Sequence, residues 1–325
     1  MERIGLMDVD GHNFPNIPLM KIATHFKKRG CLVEWYSPFE KYSKVFKSKV
    51  FSFTPDYENY ICNAEQVIEG GTGYAYSKKY AEETNEFKME YDSGFDSNLP
   101  DVIEREYPDY SIYGIKDTAF GFLTRGCPRN CSFCIVGKKE GLCSRRVADL
   151  DQFWEGQKNI VLCDPNILAC KSANNLLQQL VDSKANIDFN QGLDARLLTD
   201  NKIELLQRCK IKSIHFAWDN YNDGPVILPK LKMFAEATKQ NPHGHNAIVY
   251  VLVNYNSTIE EDLERIYTLR DIGFWAYVMV YDKAHAKRIY KDMQRWCNNR
   301  FVFAKTPLFS EYRKHIYNNN QTTLF

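Results

Sequence analysis

Three cysteines on one short stretch constrain this chain more than any other feature of its sequence. Cys127, Cys131 and Cys134 are spaced Cys-x3-Cys-x2-Cys and follow closely on the apolar run Phe120–Leu123. Thiolates are soft ligands for iron–sulfur clusters and for zinc, and three on one loop can hold three corners of a cluster without long-range folding. Tetrahedral zinc would need a fourth local ligand, and the nearest cysteine, Cys143, comes nine residues later. The spacing favours an iron–sulfur cluster, with a zinc knuckle or three packed thiols as the alternatives.

Composition bounds the class of protein. The 325 residues are 44% hydrophobic, which is enough for one large domain or two ordinary ones. The net charge of +1 gives no overall attraction to nucleic acid or membrane, so an anionic partner would have to meet a local basic patch. The ten cysteines favour reduced thiols and metal ligands, and no apolar stretch has the length of a membrane span or a signal peptide. We therefore expect a cytoplasmic protein.

From Thr118 onward, apolar runs alternate regularly with helical periodicity, which is typical of βα units. Six runs are predicted as strands, each followed by a helix: Phe120–Leu123, Ile160–Cys163, Ile187–Phe189, Ile214–Trp218, Ile248–Val253 and Tyr277–Tyr281. Six such units predict an α/β fold, a partial (β/α)6 parallel barrel over residues 118–285. A carboxyl-terminal helix and tail would occupy residues 286–325.

One predicted barrel helix has clear start and stop signals. Thr258 and Glu261 form a capping-box pattern at its beginning, and Gly273 lies where a helix C-cap glycine is favoured. The apolar residues of its expected buried face are Ile259, Leu263, Ile266 and Leu269.

A smaller domain is predicted for the first 117 residues. A strand at Arg3–Val9 precedes a helix at Ile17–Phe26, and three further strands are predicted at Leu32–Tyr36, Val50–Thr54 and Gln66–Gly70. This order indicates a small Rossmann-like, doubly wound domain ahead of the barrel. Residues 74–116 are polar and weakly periodic, and we interpret them as a linker that covers the next domain.

Polar residues gather where the predicted barrel strands end, which is the edge at which such barrels carry their chemistry. They are Asp164, Asn166, Asn190, Gln191, Asp194, Arg196, Asp219, Asn220, Asn254, Asp282 and Lys283. For any one of these residues a role in turn formation is about as plausible as ligand binding, because strand ends are commonly polar. Their shared edge favours a functional site.

The cysteine stretch resembles the signature of the radical S-adenosylmethionine (SAM) superfamily, with Phe133 as the aromatic residue before the last cysteine. The resemblance covers roughly Thr118 to Lys283 and implies a [4Fe-4S] cluster on Cys127, Cys131 and Cys134. In that family the fourth iron chelates the amino and carboxylate groups of SAM, and one electron cleaves SAM to a 5′-deoxyadenosyl radical. An electron donor, either a reductase or a ferredoxin or flavodoxin, is therefore an expected partner.

The resemblance also implies a SAM pocket. Phe133 would place its backbone near the adenine, and residues at strand ends would hold the methionine and ribose of SAM: Asp164, Asn166, Gln191, Asp194, Arg196, Asp219 and Asn254. The Gly-Gly-Glu sequence that many members carry after the second strand is replaced here by Asp164-Pro165-Asn166. The substrate and the group moved, whether methyl, sulfur or hydrogen, stay open. A non-catalytic iron–sulfur or zinc module for binding or redox sensing, associated with DNA, is the alternative from another class.

The amino-terminal part resembles the cobalamin-binding domain that precedes the barrel in one radical SAM subgroup. Asp10 and His12 approximate the Asp-x-His-x-x-Gly loop of that domain, and Gly70-Gly71 matches a later glycine pair. The resemblance implies that His12 could be the lower cobalt ligand. Pro15 stands in place of the loop glycine, and a structural loop histidine is the competing interpretation.

Basic residues form three groups along the chain, and each could meet a phosphate-bearing substrate or simply form a solvated face. They are Lys41, Lys44, Lys47 and Lys49; Lys138, Lys139, Arg145 and Arg146; and Lys287, Arg288, Lys291, Arg295 and Arg300.

The last eight residues read as a polar, disordered tail that ends in Leu324 and Phe325. Together with Gln321 these residues resemble the short peptide with which bacterial replication and repair proteins bind the DNA sliding clamp. Docking of the two apolar side chains on the protein's own surface is the alternative.

Overall fold

The computed structural model describes residues 1–56, 60–81, 86–92, 96, 98–238 and 247–321. Near the amino terminus four parallel strands pair in the order β2-β1-β3-β4. They are β1 (Arg3–Asp8), β2 (Leu32–Trp35), β3 (Tyr42–Ser48) and β4 (Ala64–Gly70), and helix α1 (Ile17–Lys27) connects the first two. Ile4 and Leu6 of β1 pack with Leu19 and Ile22 of α1 in a buried core. The small parallel α/β domain predicted from the sequence is confirmed.

The third strand of this sheet was placed wrongly by the sequence pattern. The strand lies at Tyr42–Ser48, whereas Val50–Thr54 is a loop. Val50, Phe51 and Phe53 are 45%, 51% and 80% exposed, so these apolar side chains face no core. Apolar content without a buried face to fill does not specify a strand.

The segment interpreted as a linker has secondary structure of its own. It contains an antiparallel hairpin of β5 (Tyr76–Ala81) and β6 (Glu86–Tyr91), followed by a short helix α2 (Asp101–Glu104). The side chain of Tyr110 is buried, and its hydroxyl donates to the carbonyl of Phe153 at 2.7 Å. This segment is therefore packed structure rather than a simple connection.

The remaining strands build a six-stranded sheet whose order follows the chain, β7-β10-β11-β12-β13-β14, with a two-stranded β8-β9 pair beside it. The strands are β7 (Thr118–Gly121), β8 (Thr124–Arg125), β9 (Arg145–Arg146), β10 (Asn159–Leu162), β11 (Asn186–Leu193), β12 (Lys210–Ala217), β13 (Ala247–Val253) and β14 (Trp275–Val280). The helices are α3 (Val136–Glu140), α4 (Ala173–Ser183), α5 (Asp200–Arg208), α6 (Gly224–Thr238), α7 (Ile259–Asp271), α8 (Arg288–Asn298), α9 (Arg300–Lys305) and α10 (Phe309–Gln321). The pairs from β11 to β14 are parallel, and a helix follows each of the six strands. The predicted partial (β/α)6 arrangement is confirmed.

By internal packing the chain divides into two units. The first comprises Met1–Gly121, Gly126–Leu142 and Ala148–Ile160. The second comprises Phe122–Arg125, Cys143–Val147 and the chain from Val161 onward. The cysteine loop thus belongs to the first unit, and most of the predicted strand-end residues belong to the second.

Helix α7 confirms its predicted ends and corrects its predicted buried face. The Thr258–Glu261 capping box is present, and Gly273 adopts φ +94° just past the helix. Ile266 and Leu269 are fully buried as predicted, whereas Ile259 and Leu263 are only partly buried. Asp262 and Arg265 are also fully buried, so a charged pair shares the buried face with the apolar residues.

Side chains of helix α8 form hydrogen bonds with the backbone at the outer edge of β14, where the described part of the chain has no neighbouring strand. The Asn298 side-chain oxygen accepts from the Val278 amide at 2.8 Å, and its amide donates back to the Val278 carbonyl at 3.0 Å. Gln294 donates to the same carbonyl at 3.1 Å. Side chains of α8 thus take the place of a neighbouring strand at β14.

Helix α10 runs to Gln321, so Asn318–Gln321 continue a helix instead of beginning a disordered tail. Leu324 and Phe325, the apolar residues of the predicted clamp peptide, lie outside the described residues. Among the described helices none is both long enough and apolar enough to cross a membrane.

Candidate functional site

The cysteine loop is a compact turn structure closed at its base. The Gly126 amide donates to the Glu140 carboxylate at 2.9 Å, and the Cys127 amide donates to the Gly141 carbonyl at 3.1 Å. Between them, Asn130 adopts φ +46° and the Cys134 amide donates to the Cys131 carbonyl at 3.0 Å. Glycine or asparagine is favoured at such left-handed positions, which lets the loop reverse direction between its first two cysteines.

Residues from the former linker support this loop within the first unit. Lys139, five residues after the last cysteine, forms an ion pair with Asp96 at 3.0 Å and also donates to the Thr72 hydroxyl. Tyr91 donates to the same Asp96 carboxylate at 3.0 Å. Burial, and next the charge of Cys134, raise the pKa of Tyr76. Because its ammonium group binds Asp96 and Thr72, Lys139 has a structural role and is not one of the basic residues expected to bind a phosphate.

The donor set of the loop fits a cluster by its chemistry. Three partly exposed thiols lie on one closed loop, and thiolates are the usual ligands of iron–sulfur clusters. Within the ranges that the structure describes, no three His, Cys, Asp or Glu side chains converge into a metal-binding group.

Asp164, expected near the methionine of SAM, is engaged with the chain that leads into the cysteine loop. Its carboxylate is buried and accepts from the Leu123 amide at 3.1 Å and from the Thr124 amide and hydroxyl at 2.5 and 2.6 Å. Burial raises the pKa of Asp164 to about 6, and the hydrogen bonds from Thr124 and Leu123 oppose that rise. Asp164 thus fixes the backbone at Leu123–Thr124, just ahead of the cysteine motif.

The structure brings together three of the predicted residues, Asp194, Arg196 and Asp219. The Arg196 guanidinium donates to Asp194 at 2.7 Å and to Asp223 at 2.9 Å. Burial raises the pKa of Asp219 to about 6, while the charges of Arg265 and Arg196 oppose the shift. The carboxyl ends of β11 and β12 therefore carry an acidic cluster around one arginine, which can hold hydroxyl and ammonium groups.

Asp219 makes stability depend on pH. The folded-state pKa of Asp219 lies above the ordinary 3.8, so the fold favours the protonated carboxyl. Its contribution to the free energy of unfolding is therefore complete below about pH 4 and is lost as the pH rises through about 6. Asp219→Asn is expected to remove that part of the pH dependence and to raise stability at pH 8 by up to about 3 kcal/mol. Urea titrations between pH 4 and 8 measure it, with the exposed Asp271→Asn as control. An unchanged pH profile in Asp219→Asn would contradict the assignment.

The other predicted site residues have these surroundings. Asn166 is buried beside β10, and its carbonyl accepts from the Ser144 hydroxyl at 2.8 Å. Gln191 is exposed in an irregular part of β11, where the register with β12 shifts between Phe189 and Gly192. Asn254 has φ +63° and donates to the Tyr281 carbonyl at 2.9 Å. Phe133 is partly buried within the cysteine loop.

Two features of the site were missed in the sequence. The rings of His215 and Tyr250 stack with centroids 5.1 Å apart, and Tyr277 meets Tyr250 edge-on at 5.8 Å. The Arg265 guanidinium donates to the carbonyls of Trp218 and Asp219 after β12 and of Leu252 in β13. Alternation along β12, β13 and β14 could have indicated the ring row, whereas no local pattern indicates Arg265.

His12 lies exposed on the loop after β1. Its ring centroid is 4.2 Å from that of Trp35 and 5.4 Å from that of Tyr113. Tyr113 in turn donates to Asp8 at 2.6 Å. The neighbouring Asp10 accepts from the Val50 amide at 2.5 Å and from the Thr54 hydroxyl at 2.5 Å. His12 therefore packs among aromatic rings on this loop, and its role as a cobalt ligand stays a prediction.

Comparison with known proteins finds a similar fold among the solved structures. No protein-family sequence model matches the chain, and no curated protein matches it significantly. Among solved structures, the radical SAM methyltransferase TsrM from Kitasatospora setae, determined with cobalamin and a [4Fe-4S] cluster bound, matches with a TM-score of 0.58 at 12% identity, over 86% of this chain and 75% of TsrM. Streptococcus suis SuiB, bound to its precursor peptide SuiA, matches at 11% identity over 74% of this chain and 57% of SuiB, with a TM-score of 0.40. The likeness to TsrM shows that this chain has the fold of the radical SAM superfamily.

Proposed function

We propose that the protein is a radical SAM enzyme that carries a [4Fe-4S] cluster on Cys127, Cys131 and Cys134. The observation that carries the proposal is the three-cysteine motif that follows the first strand of a (β/α)6 sheet with the radical SAM fold. A loop with three thiolates leaves one iron without a protein ligand, which is where SAM would bind.

When bound, the cluster and SAM would supply a 5′-deoxyadenosyl radical, and the protein would position the reactants and exclude water. Asp164 holds the backbone before the cysteine loop in place through Leu123 and Thr124. Asp194, Arg196 and Asp219 after β11 and β12, together with Asn254 after β13, would orient the methionine and ribose of SAM through charge-assisted hydrogen bonds. Cobalamin on the amino-terminal domain, with His12 as the candidate lower ligand, stays a prediction, and TsrM was determined with cobalamin bound.

Reductive cleavage of SAM tests the proposal. The protein would be reconstituted anaerobically with iron and sulfide, reduced with dithionite and incubated with SAM. We expect 5′-deoxyadenosine and methionine in equal amounts, quantified by mass spectrometry. Stable binding of zinc in place of iron, or a reduced cluster that leaves SAM intact, would instead support a non-catalytic binding or redox-sensing module.

The proposed SAM contacts predict a loss of affinity without loss of the cluster. Asp194→Asn removes a charge, and Asn254→Gly removes an amide while tolerating the φ of +63°. Loss of a charge-assisted hydrogen bond costs about 1.5–3 kcal/mol, so SAM should bind roughly 10-fold to 150-fold more weakly. Calorimetry with the reconstituted protein measures the affinity, and iron content serves as the control. Unchanged affinity in both variants would place the SAM pocket elsewhere.

A further inference from the structure

A basic cleft of about 760 Å³ lies in the second unit, beside the edge strand β14 and helix α8. Its lining includes Lys283, Lys291, Arg295 and Arg300, together with the rings of Tyr277 and Phe301. Side-chain amides of α8 complete the wall. Positively charged groups and aromatic rings thus share one concave surface.

Three cations in the cleft, Lys283, Lys291 and Arg295, lack an ion-pair partner among the described residues. None of the residues that line the cleft is acidic. Arg288, by contrast, pairs with the buried Asp292 at 2.8 Å. On an ordinary solvated surface, acidic residues normally lie between the basic ones, because adjacent like charges repel. A concave surface that concentrates several cations favours binding of a ligand with several negative charges.

Exposed rings set the cleft apart from a simple anion site. Phe301 is 82% exposed and Tyr277 is 38% exposed, although large apolar side chains usually become buried. The Arg300 guanidinium lies 3.7 Å from the centre of the Trp275 ring. Exposed rings within a basic groove are the usual means of binding single strands, since each base offers a face for stacking and the cations follow the phosphates.

We propose that this cleft binds single-stranded nucleic acid through its cations and through stacking on Phe301 and Tyr277. A cleft with four or more cations fits several consecutive phosphates of a strand better than it fits the single phosphate of a mononucleotide. The Tyr277 ring makes a T-shaped contact with Tyr250, which stacks on His215, so one ring of the cleft contacts the His215–Tyr250 pair. Single-stranded nucleic acid would then be the substrate class of the enzyme. That step rests on the proposed radical SAM function.

Fluorescence anisotropy with the full chain and a labelled 12-nucleotide oligouridylate tests the proposal, with oligothymidylate of the same length to distinguish RNA from DNA. Lys291→Glu with Arg295→Glu is expected to weaken binding at least tenfold and to lower the slope of log affinity against log salt by about 1.4, the value for two lost phosphate contacts on a single strand. Phe301→Ala is expected to weaken binding at least about fivefold, as for loss of one stacked base.

Matched controls make the result specific. Lys210→Glu with Lys232→Glu causes the same charge change at exposed lysines outside the cleft, and Phe39→Ala removes a ring that is 93% exposed elsewhere. Both controls should bind like the wild type. Equal loss in the controls, equal binding of an abasic oligonucleotide of the same length, stronger binding of a duplex, or full competition by uridine monophosphate would each overturn the proposal. Because the assay contains neither SAM nor reductant, failed binding is distinguishable from failed SAM cleavage.

Discussion

Replacing Cys127, Cys131 and Cys134 together by alanine is expected to abolish both cluster assembly and formation of 5′-deoxyadenosine. The three thiols are the proposed protein ligands, and they lie on a single loop closed by Glu140 and Gly141. Without them no local set of soft donors remains to hold iron. Iron and sulfide analysis, the charge-transfer absorbance of the reconstituted protein and mass spectrometry of the nucleoside measure the loss. A triple variant that retains its iron would refute the assignment.

Cys143→Ala is the matched control because Cys143 is the nearest other cysteine and is exposed. The radical SAM proposal needs one iron without a protein ligand, so this variant should keep its iron and its SAM cleavage. Loss of iron in Cys143→Ala would indicate a four-thiolate site. Such a site has no position for SAM and would favour the structural or redox-sensing alternative.

The parts of the fold that were predictable from the sequence depend on local or strictly periodic signals. The three cysteines lie within eight residues, and the six strands of the sheet follow one another in chain order with a helix after each. Thr258 with Glu261, and Gly273, marked the ends of α7 because capping is determined by neighbouring residues.

The parts that failed depend on partners distant in sequence. The apolar run Val50–Thr54 resembles a strand, yet the sheet uses Tyr42–Ser48, whose register with β1 places Val45 in the core. Position at a strand end identified Asp164, but only the fold shows that its carboxylate holds the backbone of Leu123 and Thr124. A strand-end carboxylate can bind a ligand or the protein's own backbone, and sequence does not separate the two.

Arg265 is the most consequential residue that the sequence left unmarked. It is fully buried, forms an ion pair with the equally buried Asp262, and donates to the carbonyls of Trp218, Asp219 and Leu252 at 2.6, 2.9 and 2.8 Å. One guanidinium therefore ties the carboxyl end of β12 to β13 and holds the backbone at Asp219. The planar array of five N–H donors in arginine makes this possible, whereas a lysine ammonium could not reach the same set of acceptors.

Arg265→Met is expected to lower the free energy of unfolding by roughly 3–5 kcal/mol, because it leaves the buried Asp262 carboxylate without its partner. Urea denaturation measures the change, and Arg270→Met on the same helix, where the side chain is partly exposed, should cost no more than about 1 kcal/mol. Asp262→Leu combined with Arg265→Met should regain part of the loss, since no buried charge then remains unpaired. It should not regain all of it, because the three carbonyls at β12 and β13 still lack their donor. Full recovery in the double variant would mean that Arg265 serves only to neutralise Asp262, and a single variant as stable as the wild type would show that the tie between the two strands contributes nothing.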